Sequence, residues 1–281
     1  MAFSPRTRRV VGAAMTGATY SAAALAIIPL VAILLMLVMK GAGSLDWNFF
    51  TKSAVPVGEP GGGFAHAIVG TLLIVGVAAA IGIPIGVGAG IYLAEFGGGI
   101  VGWLVRFVAD TLNGIPSILI GVFAWTLVVR PTGRFTALAG SVALACILVP
   151  IVARTTEEMV RLVPNSLREA ALALGYPRWR TSLTVVARTA RAGIITGCLV
   201  AVSRVSGETA PLLFTALGNQ FFSTNLLQPI AALPLQVYYY ALGPYEEWHR
   251  QAWAGALVLI LMVLLLGILA RLATRSRHER A

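Results

Sequence analysis

The sequence predicts an all-α, polytopic membrane protein with about six transmembrane helices, and three observations carry that prediction. Hydrophobic residues make up 58% of the 281 and charged residues only 11%, too little polar surface to cover a soluble globule of this size. Six apolar segments, near 17–39, 67–94, 101–129, 135–153, 193–216 and 253–272, are each long enough to cross about 30 Å of hydrocarbon. The basic residues also sort by side of the membrane. An N-terminus placed inside puts Arg6, Arg8, Arg9, Arg106, the seven arginines of 154–191, Arg271, Arg275, Arg277 and Arg280 on the cytoplasmic side. That is fifteen against five outside, Lys40, Lys52, Arg130, Arg134 and Arg250, so both termini are expected in the cytoplasm. Topology thus accounts for the net charge of +10, and no nucleic-acid partner is needed to explain it.

Taken in order, residues 1–40 form a cytoplasmic N-terminus and first span. Its apolar run is too long for a signal-peptide core, contains Pro29 and lacks a small-x-small cleavage site, so it reads as an uncleaved anchor. Residues 41–66 form an extracytoplasmic loop, in which Trp47, Phe49, Phe50, Pro56, Pro60 and Gly61-Gly62-Gly63 fit an ordered approach to the second span. The main transmembrane domain runs from 67 to 272, before a basic tail at 273–281. In its first helix Gly82, Gly86 and Gly90 share a face and predict close helix packing. Asn113-Gly114-Ile115-Pro116 predicts a break inside the third span, because proline removes a helical hydrogen bond and the freed carbonyls need partners.

The loop at 154–192 is too long and too charged for a hairpin. Ser166 and Glu169 are spaced as a capping box, Gly175 suits the left-handed turn that ends a helix, and Pro177 blocks continuation, which together predict a short helix near 164–176. Leu167, Ala171 and Leu174 share one face of it, and Ala170-Ala171 let that face seat closely in a groove. Beyond it, Trp179, Leu183 and Val186 recur at helical spacing, predicting a second amphipathic helix along the membrane surface. Residues 217–252 read as a second outer loop, with Tyr238-Tyr239-Tyr240 as interfacial anchors.

Chemistry concentrates at two charged pairs. Arg204 lies eleven residues into its span, about 16 Å along a helix and hence near the bilayer midplane. A charge there costs at least about 2.5 to 3.5 kcal/mol, which argues for a role in a substrate pathway. Glu208 follows four residues later, flanked by Gly207 and Pro211, and the bland alternative is an intrahelical ion pair. The arginine fork suits two oxygens of a tetrahedral oxyanion. Arg154 and Glu157 form a second pair suited to release, or else are ordinary interfacial residues. Cys146 and Cys198 sit in apolar spans, and His66, His249 and His278 are isolated, so neither disulfide, metal site nor catalytic site is expected. Lys40 and Lys52 are the only lysines and neither follows a phosphate-cradling glycine loop, so no cofactor is expected in this chain and any ATP must be hydrolysed by another polypeptide.

Glu169-Ala170-Ala171, with Gly175 four residues on, resembles the ATPase-coupling segment of ABC importer permeases, although Val185-Val186-Ala187-Arg188 stands where the general pattern has Ile-x-Leu-Pro. The run from Ser203 to Ala216, the Gly61-Gly62-Gly63 triplet and Gln228-Pro229-Ile230 resemble the phosphate-specific branch, nearer its PstA-type than its PstC-type subunit. The resemblance implies a type I importer (MetI-like) fold in a bacterial plasma membrane. It also implies a homologous PstC-type permease, two PstB-type ATPases and an extracytoplasmic PstS-type phosphate-binding protein as partners. Within the class the runner-up is a permease for sulfate or molybdate. From another class, an ion-coupled secondary transporter would use Arg204 and Glu208 as a proton relay.

Overall fold

The computed structural model describes residues 5–56, 59 and 61–275; Pro60 and the tail from 276 onward lie outside the described residues. No strand occurs among the described residues. Five helical passages are long and apolar enough to cross a membrane, and a pair bent by 108° supplies a sixth if counted as one span. That pair is α4 (Gly99–Gly114) with the helix after it, so the break expected at Gly114–Pro116 is present.

Helix α1 (Pro5–Gly41) is almost entirely exposed within the chain and meets the bundle at its far end, where Gly41 lies against the backbone of Trp253 and Lys40 sits 5.1 Å over the Trp253 ring. A short α2 (Trp47–Thr51) follows, its first turn capped by Asp46, which accepts from the Phe49 amide at 2.8 Å. Gly63 then packs under α2 so closely that a Cβ would meet the carbonyls of Asn48, Phe49 and Lys52. The glycine triplet therefore lets two stretches of backbone touch, and Phe64 is delivered onto Phe49 with ring centroids 5.0 Å apart.

The core of the bundle is α3 (Ala65–Glu95) against α7 (Ala137–Arg161), which run in the same direction. Gly82 faces Leu148, Gly86 faces Val152, and Gly90 faces Ala153 and Thr156, so the expected glycine seam forms and admits the larger side chains of α7. Between these helices come α4, α5 (Ser117–Ala124), a π-helical turn at Trp125–Val129 and α6 (Arg130–Thr132). Thr136 caps α7, and its first amides are answered by carbonyls of a later loop: Thr136 N–H donates to Thr215, Ala137 to Gln228 and Leu138 to Leu226.

After α7 the chain forms α8 (Asn165–Ala173) and α9 (Arg178–Arg180). A π-helical segment at Thr181–Val186 then leads into α10 (Ala187–Ser206). The expected surface helix around Trp179–Val186 is instead the start of a continuous passage from Arg178 to Ser206, because nothing between them breaks the backbone. The fifth span likewise ends at Ser206 rather than 216. Gly207 terminates it and α11 (Ala210–Leu213) is a separate turn.

Residues 217–252 are no free outer loop. Ile230 to Gln236 are buried, and the Leu233 amide donates to Thr71 Oγ1 at 2.6 Å inside the bundle. Helix α12 (Leu233–Leu242) presents Tyr240, only 5% exposed, into an aromatic stack with Phe64 and Trp248. Tyr240 is a core residue and not the interfacial anchor expected of it; its neighbours Tyr238 and Tyr239 remain exposed. Helix α13 (Glu246–Arg275) closes the bundle.

Candidate functional site

The broken span and the broken end of α10 meet. Gly121 in α5 lets the backbone of Pro211 approach to 2.7 Å of where a Cβ would stand, which seats α11 on α5. Around this junction lies a cavity of about 300 Å³ lined by residues 112–117, Ile120, Ile147, Arg204 and Glu208. Both expected pathway residues therefore reach one cavity. They do so in different geometry from that expected: the helix ends at Gly207, so Glu208 is past the last turn and makes no ion pair with Arg204 among the described residues. The intrahelical pair is thus absent, since the i, i+4 spacing puts two groups on one helical face only while the helix lasts.

The break supplies further polar groups. Asn113 and Ser117 line the cavity, and α5 follows Pro116 with no side-chain cap, its Leu119 amide donating to the Pro116 carbonyl at 2.9 Å. A fixed cation, an acceptor carboxylate, an amide and a hydroxyl around one void can hold a partly protonated tetrahedral anion. Arg204 is exposed in the single chain, so the cavity is open on one side.

Arg154 and Glu157 lie elsewhere, at the arginine-rich end of the bundle. Glu157 is 1% exposed and accepts from Arg106 Nε at 2.7 Å and Arg154 Nη1 at 2.8 Å, with Arg161 Nη2 ion-paired to it at 2.6 Å. Arg154 also reaches Asp110 at 2.9 Å. Arg106 extends the knot by donating to the carbonyl of Leu93 in the last turn of α3 and to that of Gly97 just past it. The expected Arg154–Glu157 pair exists, yet it belongs to a cluster that pins α4 to α7 and α3. Arg106 and Asp110 were not legible as its members, because they come from α4, whereas Arg161 stands four residues after Glu157 on α7 and its spacing alone could have found it.

Of the coupling residues, Glu169 and Ala170 are exposed on α8 while Ala171 is buried against the rest of the chain. Gly175 has φ +81°, the left-handed turn expected of it. Tyr176 N–H bonds to the Ala171 carbonyl at 3.2 Å and Gly175 N–H to Leu172 at 2.9 Å, which is the Schellman pattern. The expected capping box is absent: α8 begins at Asn165 after Pro164, so Ser166 lies inside the helix and no side chain caps it. Leu174 is 80% exposed, with Leu162, Leu172 and Trp179 also outward. The apolar face offered outward is therefore built from those side chains, and Ala171 faces inward instead of sharing it.

Comparison with known proteins bears on the whole chain. Residues 86–278 match the family described as the binding-protein-dependent transport system inner membrane component. A phosphate transport system permease protein PstA of Yersinia pestis is 49% identical over 89% of this chain and 85% of its own length. The Haemophilus influenzae protein of the same name is 47% identical, covering 92% of each. Among solved structures, a chain of the MetNI methionine ABC transporter in an inward-facing conformation superposes with a TM-score of 0.64 at 20% identity, over 76% of this chain and 95% of that one. That last likeness bears on the fold, and it agrees with the all-α type I importer architecture.

Proposed function

The chain belongs to the family of binding-protein-dependent transport system inner membrane components, and from that membership we propose that it carries inorganic phosphate through an ATP-driven importer. It is a transport subunit of a multi-pass inner membrane complex and not an enzyme; ATP hydrolysis belongs to a partner ATPase, and a substrate-binding component delivers the cargo. The finer assembly we infer is a PstC-type permease alongside this chain, two PstB-type ATPases, a PstS-type binding protein, and both termini in the cytoplasm.

The observation that carries the substrate reading is the open cavity at the junction of the broken helices, with Arg204 and Glu208 in its wall. Its missing side is where a homologous permease would complete the pathway. Phosphate near neutral pH retains a proton, so Glu208 can accept a hydrogen bond from it while Arg204 binds its charge. Glu169, Ala170 and Gly175 on α8 and its turn form the surface offered to the ATPase, with Ala171 seating that helix on the bundle. Closure of the ATPases would then rock the paired bundles between outward and inward access.

The test is phosphate-stimulated ATPase activity of the co-purified complex, with sulfate as control anion. Stimulation by loaded binding protein with phosphate and none with sulfate is expected; equal stimulation by both overturns the substrate assignment. Uptake that stops when the proton gradient alone is dissipated would instead point to an ion-coupled carrier.

A further inference from the structure

The last residue of α3 and the first turn of α8 are joined by a contact that the coupling motif does not contain. Arg168 spends all five of its guanidinium N–H groups within the chain. Nε and Nη2 donate to Glu95 Oε1 at 2.9 and 2.8 Å. Nη2 also donates to the Val160 carbonyl at 2.9 Å, and Nη1 to the Val163 carbonyl at 2.5 Å and Asn165 Oδ1 at 3.2 Å. The other carboxylate oxygen of Glu95 lies 3.1 Å from Ser182 Oγ, in the π-helical segment that opens the α10 passage, and shares the single hydroxyl proton with the Arg178 carbonyl at 3.0 Å. The pair is largely withdrawn from water, with side chains 19% and 10% exposed.

Local helix energetics do not explain this placement. Glu95 stands at the C-terminus of α3, and Arg168 is the fourth residue of α8. Each charge therefore meets the helix end of its own sign, the unfavourable arrangement for both dipoles. What each gains is the other, across 73 positions of sequence. Removing one partner would leave the second charge poorly solvated.

We propose that Glu95 is a positioning residue for ATP-driven transport, the joint through which movement of the coupling helix α8 reaches α3. The inference rests on the reading of α8 as the ATPase-docking helix. Glu95 holds the start of α8 with one oxygen and the start of the α10 passage with the other. Helix α3 is in turn locked to α7 along Gly82, Gly86 and Gly90, so a displacement taken up at Glu95 is passed to the bundle that walls the cavity. The π-helical segment beside Ser182 is the local irregularity that lets α10 follow without unwinding.

The experiment uses the whole complex with its ATPases and binding protein, in which Cys146 and Cys198 are first replaced by serine. Spin labels at Tyr92→Cys on α3 and Ser166→Cys on α8, both exposed and outside the outward apolar face of α8, report the distance between the helices with and without ATP. With Glu95 intact that distance stays narrow in both states. In Glu95→Ala it broadens or changes with nucleotide, and the ratio of substrate-stimulated to basal ATPase falls by about tenfold, a typical coupling between distant sites. Glu95→Gln keeps a carbonyl oxygen that can accept both Arg168 donors and retains most of the ratio.

A distance that stays narrow in Glu95→Ala, or a ratio equal to that of the unmodified complex, overturns the proposal. Should Glu95→Ala fail to accumulate, Arg168→Lys and Ser182→Ala carry the test. The first breaks the α8 side and must lower the ratio more than the second; the reverse order overturns the proposal equally. Failure of the docking reading shows separately, as normal ATPase co-purification with Gly175→Val, and leaves the distance measurement to decide the joint.

Discussion

Replacing Gly86 by alanine is expected to destabilise the bundle, whereas the same change two residues later is not. A Cβ at 86 would stand 2.7 Å from Val152 Cβ, 2.8 Å from Val152 Cγ1 and 3.0 Å from the Val149 carbonyl oxygen. Carbon atoms rest at about 3.5 to 4.0 Å, so α3 and α7 must part by about 1 Å there. A gap of that order forfeits about a quarter to a half of each contact it opens, and the neighbouring contacts at Gly82 and Gly90 open with it. Overpacking of this kind costs about 1 to 3 kcal/mol. At Gly88 nothing lies within 4 Å of the added carbon, and alanine there stabilises by about 0.4 to 1 kcal/mol through the lost freedom of the unfolded chain. The two substitutions should thus differ by about 1.4 to 4 kcal/mol. Unfolding of the purified chain in mixed micelles, titrated with a denaturing detergent, measures that difference. Midpoints for Gly86→Ala and Gly88→Ala that coincide, or that fall in the opposite order, would refute the seam as the feature holding α3 to α7.

Three further outcomes follow from the same geometry. Gly175→Val places a β-branched residue at φ +81° where space is free, so the penalty of about 1 kcal/mol or more is conformational; ATPase co-purification should fall, with Glu169→Lys acting in the same direction. Arg204→Gln should abolish phosphate uptake in an assembled complex, and Arg204→Lys should restore it only in part because a point charge cannot reproduce the fork; uptake by the glutamine variant at the unmodified rate would reduce Arg204 to a structural role. In a complex whose binding protein is bypassed, Glu208→Gln should weaken phosphate stimulation and narrow discrimination against sulfate, and unchanged discrimination would leave selectivity with the delivery protein.

The spans, the break at Pro116 and the left-handed Gly175 were legible because each is set by local composition or by one residue's backbone. The errors share a cause of the opposite kind. Ser166 has capping spacing, but Pro164 starts the helix early enough to place it inside. Tyr240 carries the composition of an interface anchor, yet Phe64 and Trp248, from far along the chain, enclose it. Arg204 and Glu208 were rightly grouped by their charge in an apolar run, while the termination at Gly207 that separates their faces depends on how α11 seats against α5. Glu95, Arg168, Arg106 and Asp110 stayed hidden because their partners lie on other helices, and spacing carries no information about such pairs; Arg161, four residues from Glu157 on α7, was within its reach.

The glycine seam also limits how α3 and α7 can slide. Its rungs repeat every four residues on α3, and Leu148, Val152 and Thr156 repeat every four on α7. A small axial shift takes Leu148 and Val152 off the glycines that admit them, and the fit returns only after a full rung, about 6 Å of helix. Axial movement between these helices is therefore quantised: the pair either stays in register or jumps by a whole rung.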